Sequence, residues 1–302
     1  MKGLTLKDKE LIDYLHDYCR YSTKQLSKAL HLPQQTISYK IKRLEEQDYI
    51  RRYDTVLNWN VIPLIKVIYY YKDNSLLSEL EKEQCVHNLH EHIGTYSMSS
   101  WCFFKTNDEL VEFENKYPYD KKIVVDKVLS SKPTIFGTDI KLKKPLMSEK
   151  QMRLDEIDVK LIKHLSNGNA RDSILKISKD LGISYDVVHY RLKNLIRNEY
   201  FTRLIPQLGD GLGGLKMTKI IISFDKVTLD IVRRIEGLDF STTGAYSDKE
   251  IYTFIISTDF EDYLDKLHKL HKSVNNEQIK SEALHWKKMH VLNRYPLEYI
   301  IE

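Results

Sequence analysis

Cysteine is scarce in this chain of 302 residues, which has only Cys19, Cys85 and Cys102. An odd, sparse set does not make a disulfide framework, so we expect reduced thiols and a cytoplasmic protein. Long apolar runs are missing too. No stretch approaches the roughly 18 residues of a membrane helix, and charges at positions 7–10 interrupt the N-terminal segment. We therefore expect neither a membrane span nor an N-terminal targeting segment.

A strong charge of one sign is also missing. The 47 basic and 43 acidic residues leave a formal net charge of +4, which permits nucleic-acid binding without establishing it. The sequence has no nucleophile elbow, P-loop or HExxH zinc motif. The glycines between positions 209 and 214 do not lead from a strand into a helix of a βαβ unit, which excludes a dinucleotide loop. We expect a protein that is not an enzyme and that holds no metal or cofactor.

A helix-turn-helix pattern lies near the start of the chain. Pro33 favours a helix start, and Ile37, Ile41 and Leu44 then form one apolar stripe. Ser22 can cap a short helix upstream, and a strand over 49–53 follows where a wing would lie. An amphipathic helical hairpin with a solvated charged face is the alternative interpretation.

The polar face of the second helix carries side chains of the types that reach base edges and phosphates. The DNA contacts predicted in this first head are Gln34, Gln35, Thr36, Ser38, Tyr39, Lys42 and Arg43, with Arg51 and Arg52 holding the wing to phosphate.

The same pattern occurs again about 150 residues later. Positions 38–44 align with 189–195 at an offset of 151, and positions 4–15 align with 154–165 at an offset of 150. A long-period repeat is stronger support for a structural module than either copy alone. The DNA contacts predicted in this second head are Tyr185, His189, Tyr190 and Lys193. Asp186 beside them suits a helix N-terminus but repels phosphate.

Each head is followed by a segment with the order βαββαβ. In the first half, strands are predicted over 64–72, 94–105 and 122–142, and helices over 75–92 and from 107 onward. The second half repeats this order with strands over 217–224, 251–257 and 279–291. The strand 64–72 is apolar on both faces, whereas helices cover only one face of a ferredoxin-like sheet. We therefore expect two sheets to pack face to face.

These patterns predict an α+β chain made by tandem duplication of a winged helix-turn-helix and a ferredoxin-like domain. The predicted domains are winged head 1 over 1–60, ferredoxin-like domain 1 over 61–147, winged head 2 over 148–208 and ferredoxin-like domain 2 over 209–302. The predicted linker Lys143–Met152 spans roughly 33 Å when extended, enough for the two sheet domains of one chain to pair. A homodimer of tandem chains is the competing arrangement.

This organisation resembles the Lrp/AsnC family of leucine-responsive and asparagine regulators. The residues that carry the resemblance are LDEID at 154–158, LIKHL at 161–165 and ISKDLGIS at 177–184. The resemblance covers nearly the whole chain as two tandem units, where the family has one. It implies a transcription regulator that binds double-stranded DNA through recognition helices in the major groove and dimerises through its sheet domains.

The resemblance also implies a small-molecule effector, an amino acid held near a glycine followed by acidic residues. The corresponding residues here are Gly94, Tyr96, Gly244, Tyr246 and Asp248. The first of these loops has no acid, and a glycine that permits a tight turn explains Gly94 and Gly244 equally well.

Two other functions stay open. Siroheme decarboxylases resemble the same family and are built as paired units, and here Tyr96, Trp101, His285 and Arg294 would face a tetrapyrrole. A protein–protein scaffold with degenerate heads is the second, although the basic first recognition helix argues against it. The cluster CVHNLHEH over 85–92 is placed on a predicted helix, where its ligand-type side chains spread around the axis and do not converge on a metal.

Overall fold

The computed structural model describes residues 4–128, 135, 136, 138, 153–208, 216–238, 241–274, 277–291 and 297. It divides into two compact units. The head unit comprises residues 1–58 and 132–215, and the sheet unit comprises residues 59–131 and 216–301. The predicted linker at 143–152 and the glycine cluster at 209–214 lie outside the described residues. No helix within the described ranges is long and apolar enough to cross a membrane.

Each half of the head unit consists of three helices followed by one strand, with labels in chain order. In head 1 these are α1 (Leu6–Asp17), α2 (Thr23–Leu30), α3 (Gln34–Glu46) and β1 (Ile50–Leu57). In head 2 they are α6 (Glu156–Ser166), α7 (Ile174–Leu181), α8 (Tyr185–Arg197) and β7 (Phe201–Leu208).

Local capping explains where these helices begin. Thr5 and Ser22 each accept a hydrogen bond from the backbone three residues on and form reciprocal capping boxes at α1 and α2. Asp155 does the same at α6, and Ser184 caps α8. Pro33 precedes the first residue of α3, as its fixed φ angle predicts. The predicted three-helix heads are therefore confirmed.

The two heads pack against each other through a pseudo-twofold arrangement. Strands β1 and β7 pair antiparallel, and one arginine of each head donates a hydrogen bond to a backbone carbonyl oxygen of the other head. Arg20 donates to the carbonyl oxygen of Ala170 at 2.7 Å, and Arg171 donates to that of Cys19. Position 20 corresponds to 171, and 19 to 170, at the repeat offset of 151. One chain therefore contains the self-complementary contact that twofold symmetry normally creates between two chains.

The sheet unit contains two βαββαβ halves, which confirms the ferredoxin-like prediction. The first half comprises β2 (Ile65–Tyr71), α4 (Leu77–Leu80), β3 (Val86–Ile93), β4 (Met98–Phe104), α5 (Asn107–Lys116) and β5 (Lys121–Val124), and a short β6 (Lys127–Val128) follows. The second half comprises β8 (Lys216–Phe224), α9 (Leu229–Glu236), β9 (Ser241–Tyr246), β10 (Glu250–Ser257), α10 (Phe260–Val274) and β11 (Gln278–Val291). A 3₁₀ turn, Trp59–Val61, precedes β2.

All nine strands of this unit form one sheet, in the order β5-β2-β4-β3-β11-β8-β10-β9-β6. The halves meet where β3 pairs antiparallel with β11, and again where β9 pairs with β6. The short β6 follows β5 in the chain, so a strand from the first half also pairs with the outer strand of the second half. The sequence did not predict that the two halves would pair edge to edge through β3 and β11.

The two halves also share an apolar layer between their inner faces. Alternate β2 side chains separate as predicted: Val67 and Tyr69 pack with Phe113 of α5, whereas Ile68 and Tyr70 face the other way. The inner cluster joins Ile68 and Tyr70 to Ile221 of the second half and to further residues on both halves, Tyr96, Ile123, Val125, Ala245, Tyr252, Phe254 and Leu284. The inner faces of both halves therefore contribute to one buried cluster, although their strands form one continuous sheet and not the two separate sheets that were predicted.

The long helix predicted over 75–92 is wrong. The helix α4 has four residues, and the segment that follows forms strand β3. The leucines of this segment have a helix-like spacing. Leu89 nevertheless lies on strand β3, and it packs into the same outer core as Leu76, Leu77 and Leu80. The helix predicted from 107 onward is α5, which begins at Asn107 and is capped by Thr106.

Substituting Gly244 by alanine should destabilise the sheet unit. A Cβ atom at this position would lie 2.0 Å from the carbonyl oxygen of Tyr252 on the paired strand, so backbone has to move. We expect the free energy of unfolding to fall by about 2–3 kcal/mol, the upper range for overpacking. Urea unfolding followed by circular dichroism measures the change.

Gly182→Ala is the matched control. Gly182 ends α7 with φ at +64°, and a Cβ there would meet nothing within 4 Å. The Gly182→Ala substitution should lower the free energy of unfolding by only roughly 1 kcal/mol, because alanine is strained in the left-handed backbone conformation. A Gly244→Ala protein as stable as this control would contradict the packing explanation for Gly244.

Candidate nucleic-acid interface

Helix α3 presents most of the predicted contacts to solvent. Its buried stripe is Ile37, Ile41 and Leu44, which leaves the polar face outward. Tyr39 is 66% exposed, and Lys42 forms only a loose ion pair with Glu46 at 3.5 Å. Gln34, Gln35 and Ser38 are also exposed, and Thr36 is half-buried. This face is available to a major groove.

Helix α8 presents the corresponding face of head 2. Tyr185, His189, Tyr190 and Lys193 are all exposed, with Tyr190 at 62%. The Tyr185 and His189 rings lie 6.1 Å apart. Asp186 is exposed in the first turn, where an acidic side chain interacts favourably with the helix dipole.

The two recognition faces are similar but not identical. At an offset of 151, Tyr39 corresponds to Tyr190 and Lys42 to Lys193, so each face keeps an aromatic ring and an ammonium group. Ser38 corresponds instead to His189, and Gln35 corresponds to Asp186. Two heads related by pseudosymmetry therefore offer different hydrogen-bonding groups.

Three predicted phosphate contacts already have partners in the protein. The Arg43 Nη2 atom lies 2.6 Å from the carboxylate of buried Asp8. Arg51 pairs with Asp48 at 3.1 Å, and Arg52 pairs with Asp54 at 2.9 Å. The strand predicted to be a wing is also the strand that joins the two heads. Arg43 therefore ties α3 to α1, whereas the pair of Arg51 with Asp48 is exposed, and all three arginines stay predicted DNA contacts.

Asp8 is the buried anchor of head 1. Its side chain is 0% exposed and accepts from Thr5 and from Lys40 Nζ at 2.8 Å. Burial raises the pKa of Asp8, but the bonds from Lys40, Thr5 and Arg43 outweigh it and lower the pKa from 3.8 to about 2.

Head 2 keeps the same arrangement in a weaker form. Asp158, the repeat equivalent of Asp8, lies 3.4 Å from Arg191, which pairs more closely with Asp155 at 2.7 Å. Here burial and the neighbouring Asp155 carboxylate raise the pKa of Asp158. Arg191 is the equivalent of Lys40 at the offset of 151. The alignment of Asp8 with Asp158 in the repeat is the sequence signal for this structural pair.

The residues mapped onto an effector site differ in burial and in what they contact. Gly94 has φ at +154°, and a Cβ there would lie 2.8 Å from the Ala283 carbonyl oxygen, so close strand packing explains the glycine. Tyr96 is buried against Tyr70, Tyr246 is half-buried, and Asp248 is exposed. The amino-acid effector stays a prediction.

The residues enlisted for a tetrapyrrole lie on opposite faces of the sheet. Tyr96 and Trp101 belong to the inner layer. His285 instead packs its ring 5.6 Å from Tyr263 beneath α10, and its Nδ1 atom lies 2.9 Å from Thr218 Oγ1. The fourth residue, Arg294, lies outside the described residues.

One group of side chains in the described ranges has the spacing of metal ligands. The ligand atoms of His164, Asp172 and Asp180 in head 2 all lie within 4.8 Å of one another. Lys176 Nζ sits 2.9 Å from the Asp172 carboxylate and supplies positive charge there already. The 85–92 cluster lies on β3 and not on the predicted helix, with His87, His90 and His92 all buried.

Paired three-helix heads with exposed recognition helices define a helix-turn-helix DNA-binding protein. The winged helix-turn-helix DNA-binding family matches residues 4–51 and 154–202, which are the two heads. An HTH-type transcriptional regulator, Ptr1 of Methanocaldococcus jannaschii, is 31% identical over 100 residues, covering 31% of this chain and 67% of the relative. An uncharacterized HTH-type transcriptional regulator of Pyrococcus horikoshii is 49% identical over 43 residues, 14% of this chain and 28% of that protein's length. The chain belongs to the winged helix-turn-helix DNA-binding family and carries its module twice.

The fold as a whole is similar to that of the siroheme decarboxylase NirDL. The crystal structure of that enzyme aligns with a TM-score of 0.61 at 10% identity, covering 97% of this chain and 96% of the enzyme. At this identity the likeness establishes the shared fold and leaves the chemistry open.

Replacing Asp8 by asparagine should destabilise the head unit by about 2 kcal/mol at pH 7, because Lys40 and Arg43 lose a buried counter-charge. The pKa of Asp8 is lowered from 3.8 to about 2, so this contribution is full above about pH 4 and is lost as the pH falls toward 2. Urea unfolding of both proteins at pH 7 and near pH 2 should show a difference that shrinks in acid.

Asp48→Asn is the control, since Asp48 forms an exposed pair with Arg51 on the same turn of chain. The Asp48→Asn substitution should change the free energy of unfolding by less than about 0.5 kcal/mol at either pH. Equal effects of the two substitutions would contradict the anchoring role of Asp8.

Proposed function

We propose that this chain is a sequence-specific, double-stranded DNA-binding transcription regulator of Lrp/AsnC type that does not catalyse a reaction. The observation that carries the proposal is the pair of exposed recognition faces, each with one tyrosine and one lysine at equivalent positions, Tyr39 with Lys42 and Tyr190 with Lys193. The regulator names of the relatives that share the heads support it.

In this proposal the single chain takes the place of a dimer. The heads pair through β1 and β7, and the halves of the sheet unit share one sheet and one apolar layer. Helix-turn-helix dimers bind two half-sites that mirror their twofold symmetry. Because the two recognition faces differ at Ser38/His189 and Gln35/Asp186, the two half-sites should differ as well.

A tetrapyrrole enzyme is the second candidate, favoured by the likeness of fold to NirDL over nearly the whole chain. A second crystal structure of that enzyme holds an iron-uroporphyrin III analogue. The regulator is the better-supported candidate because Trp101 and His285, two of the residues enlisted for that chemistry, face opposite sides of the sheet.

Selection of bound duplexes from random-sequence DNA, at two salt concentrations, tests the regulator. We expect enrichment of one asymmetric motif bound by a single chain, with affinity that falls steeply as salt rises. A strictly symmetric motif bound by a monomer would contradict the unequal heads. Absence of both enrichment and salt-sensitive binding would reject the regulator, and absorbance after incubation with siroheme would then test the tetrapyrrole enzyme.

The lysines on the recognition faces should act as phosphate contacts. Lys42→Ala and Lys193→Ala should each weaken binding to all sequences and reduce the slope of log affinity against log salt by about one. Fluorescence anisotropy with labelled duplex measures both quantities. Lys216→Ala, which removes an exposed lysine of the sheet unit, is the matched control and should change neither. A Lys42 variant with unchanged slope would remove that residue from the interface.

A further inference from the structure

A lysine is buried completely inside the sheet unit. Lys219 lies on β8 with 0% exposure, among the inner-face residues of both halves. Its Nζ atom is surrounded by four aromatic rings, with ring centroids at 5.1 Å for Tyr70, 5.5 Å for Tyr252, 5.6 Å for Trp101 and 5.7 Å for Phe254. Such rings attract a cation through their faces but do not accept strong hydrogen bonds from it.

No carboxylate among the described residues pairs with this ammonium group. Two acids on the neighbouring strands pair with other lysines, Glu250 with Lys121 at 2.5 Å and Glu282 through Oε1 with Lys280, whereas the Oε2 atom of Glu282 is buried with no hydrogen-bond partner. The single hydrogen bond of Lys219 goes to Ser99 Oγ at 3.2 Å. Burial therefore lowers the pKa of Lys219 from 10.5 to about 7.

Further hydrogen-bond donors around this lysine are also unused. The indole Nε1 atoms of Trp101 and Trp286 and the hydroxyl groups of Tyr70 and Tyr252 are buried with no hydrogen-bond partner. An indole N–H can only donate, so each tryptophan requires an acceptor. These groups are contiguous with Lys219: the ring of Trp101 lies 5.1 Å from that of Tyr252, and the ring of Trp286 lies 5.4 Å from that of Phe254.

His92 adds another donor. Its Nε2 atom lies 2.8 Å from Ser99 Oγ, the same oxygen that accepts from Lys219. Burial and the nearby Lys219 lower the pKa of His92, which keeps the imidazole neutral. When the Ser99 hydroxyl donates to Nε2, the imidazole proton lies on Nδ1, and that atom is buried without a partner.

We propose that the inner layer of the sheet unit is a binding site for a small organic carboxylate, with Lys219 as its counter-charge. Two indole N–H groups that can only donate lie in this layer beside the buried amine, and a carboxylate brings two oxygens that accept up to four hydrogen bonds. The rings of Tyr70, Trp101, Tyr252 and Phe254 would hold the apolar remainder of the ligand.

This proposal is independent of DNA binding and is tested on the whole chain. The probes are benzoate and propionate, compared with the neutral isosteres benzamide and propionamide. Trp101 and Trp286 are two of the three tryptophans in the chain, so intrinsic fluorescence reports on the site. We expect a saturable change with a carboxylate and at least tenfold weaker binding of its amide. Equal responses to carboxylate and amide, or no saturable response to either carboxylate, would overturn the proposal.

Two further measurements assign the site to Lys219. Lys219→Met should weaken carboxylate binding at least tenfold, whereas Lys216→Met, on the exposed start of the same strand, should leave it unchanged. Binding by wild-type protein at pH 8 should also take up protons, approaching about one per site, because the carboxylate restores the charge of Lys219. This second readout does not require the Lys219 variant to fold. Unaltered binding by a folded Lys219→Met protein, or binding without proton uptake, would overturn the assignment.

Discussion

The uncovered face of the ferredoxin-like sheet is the constraint on which the arrangement of this chain depends. In each half, α5 or α10 packs on the outer face, so the inner face has no helix of its own. Side chains such as Ile68, Ile221 and Tyr252 on that inner face are fully buried only because the other half covers them. At about 2 kcal/mol for each large apolar side chain, leaving this layer in water would cost more than a typical domain can lose. Duplication within one chain supplies the covering sheet without a second molecule.

A fused duplicate also removes the requirement that both copies stay the same. A homodimer must use one surface for both roles in a twofold contact, whereas here each copy changes separately. The head contacts keep the symmetric exchange, with Arg20 and Arg171 each donating to a carbonyl oxygen of the other head. The recognition faces have diverged at Gln35 and Asp186. The contact between the two heads has therefore remained more symmetric than the recognition faces that we propose bind DNA.

Periodicity in the sequence was enough to predict the heads and most strands, because these elements bury one face or two faces in a regular pattern. The stripe Ile37, Ile41 and Leu44 is the buried face of α3, and β2 separates its side chains as its alternation predicted. The failure at 75–92 arose because Leu89 fits both a helical and a strand pattern when only one chain segment is considered. Residue type alone also does not reveal that Arg43, a predicted DNA contact, lies 2.6 Å from buried Asp8. The pairings of β1 with β7 and β3 with β11 join residues more than 140 positions apart and carry no local signal.

Asp8 and Lys219 are both completely buried, but they differ in whether the protein supplies a counter-charge. Asp8 is surrounded by Lys40, Arg43 and Thr5, so its charge is neutralised by the protein and the cluster is complete. Lys219 has rings and one serine hydroxyl around it, and the neighbouring groups of Trp101 and Trp286 are donors as well. A purely structural role would be served as well by a methionine or leucine, which would bury the same volume without the desolvation of an amine. The buried indole N–H groups of Trp101 and Trp286, which can only donate, are therefore explained in our proposal by a ligand that supplies acceptors.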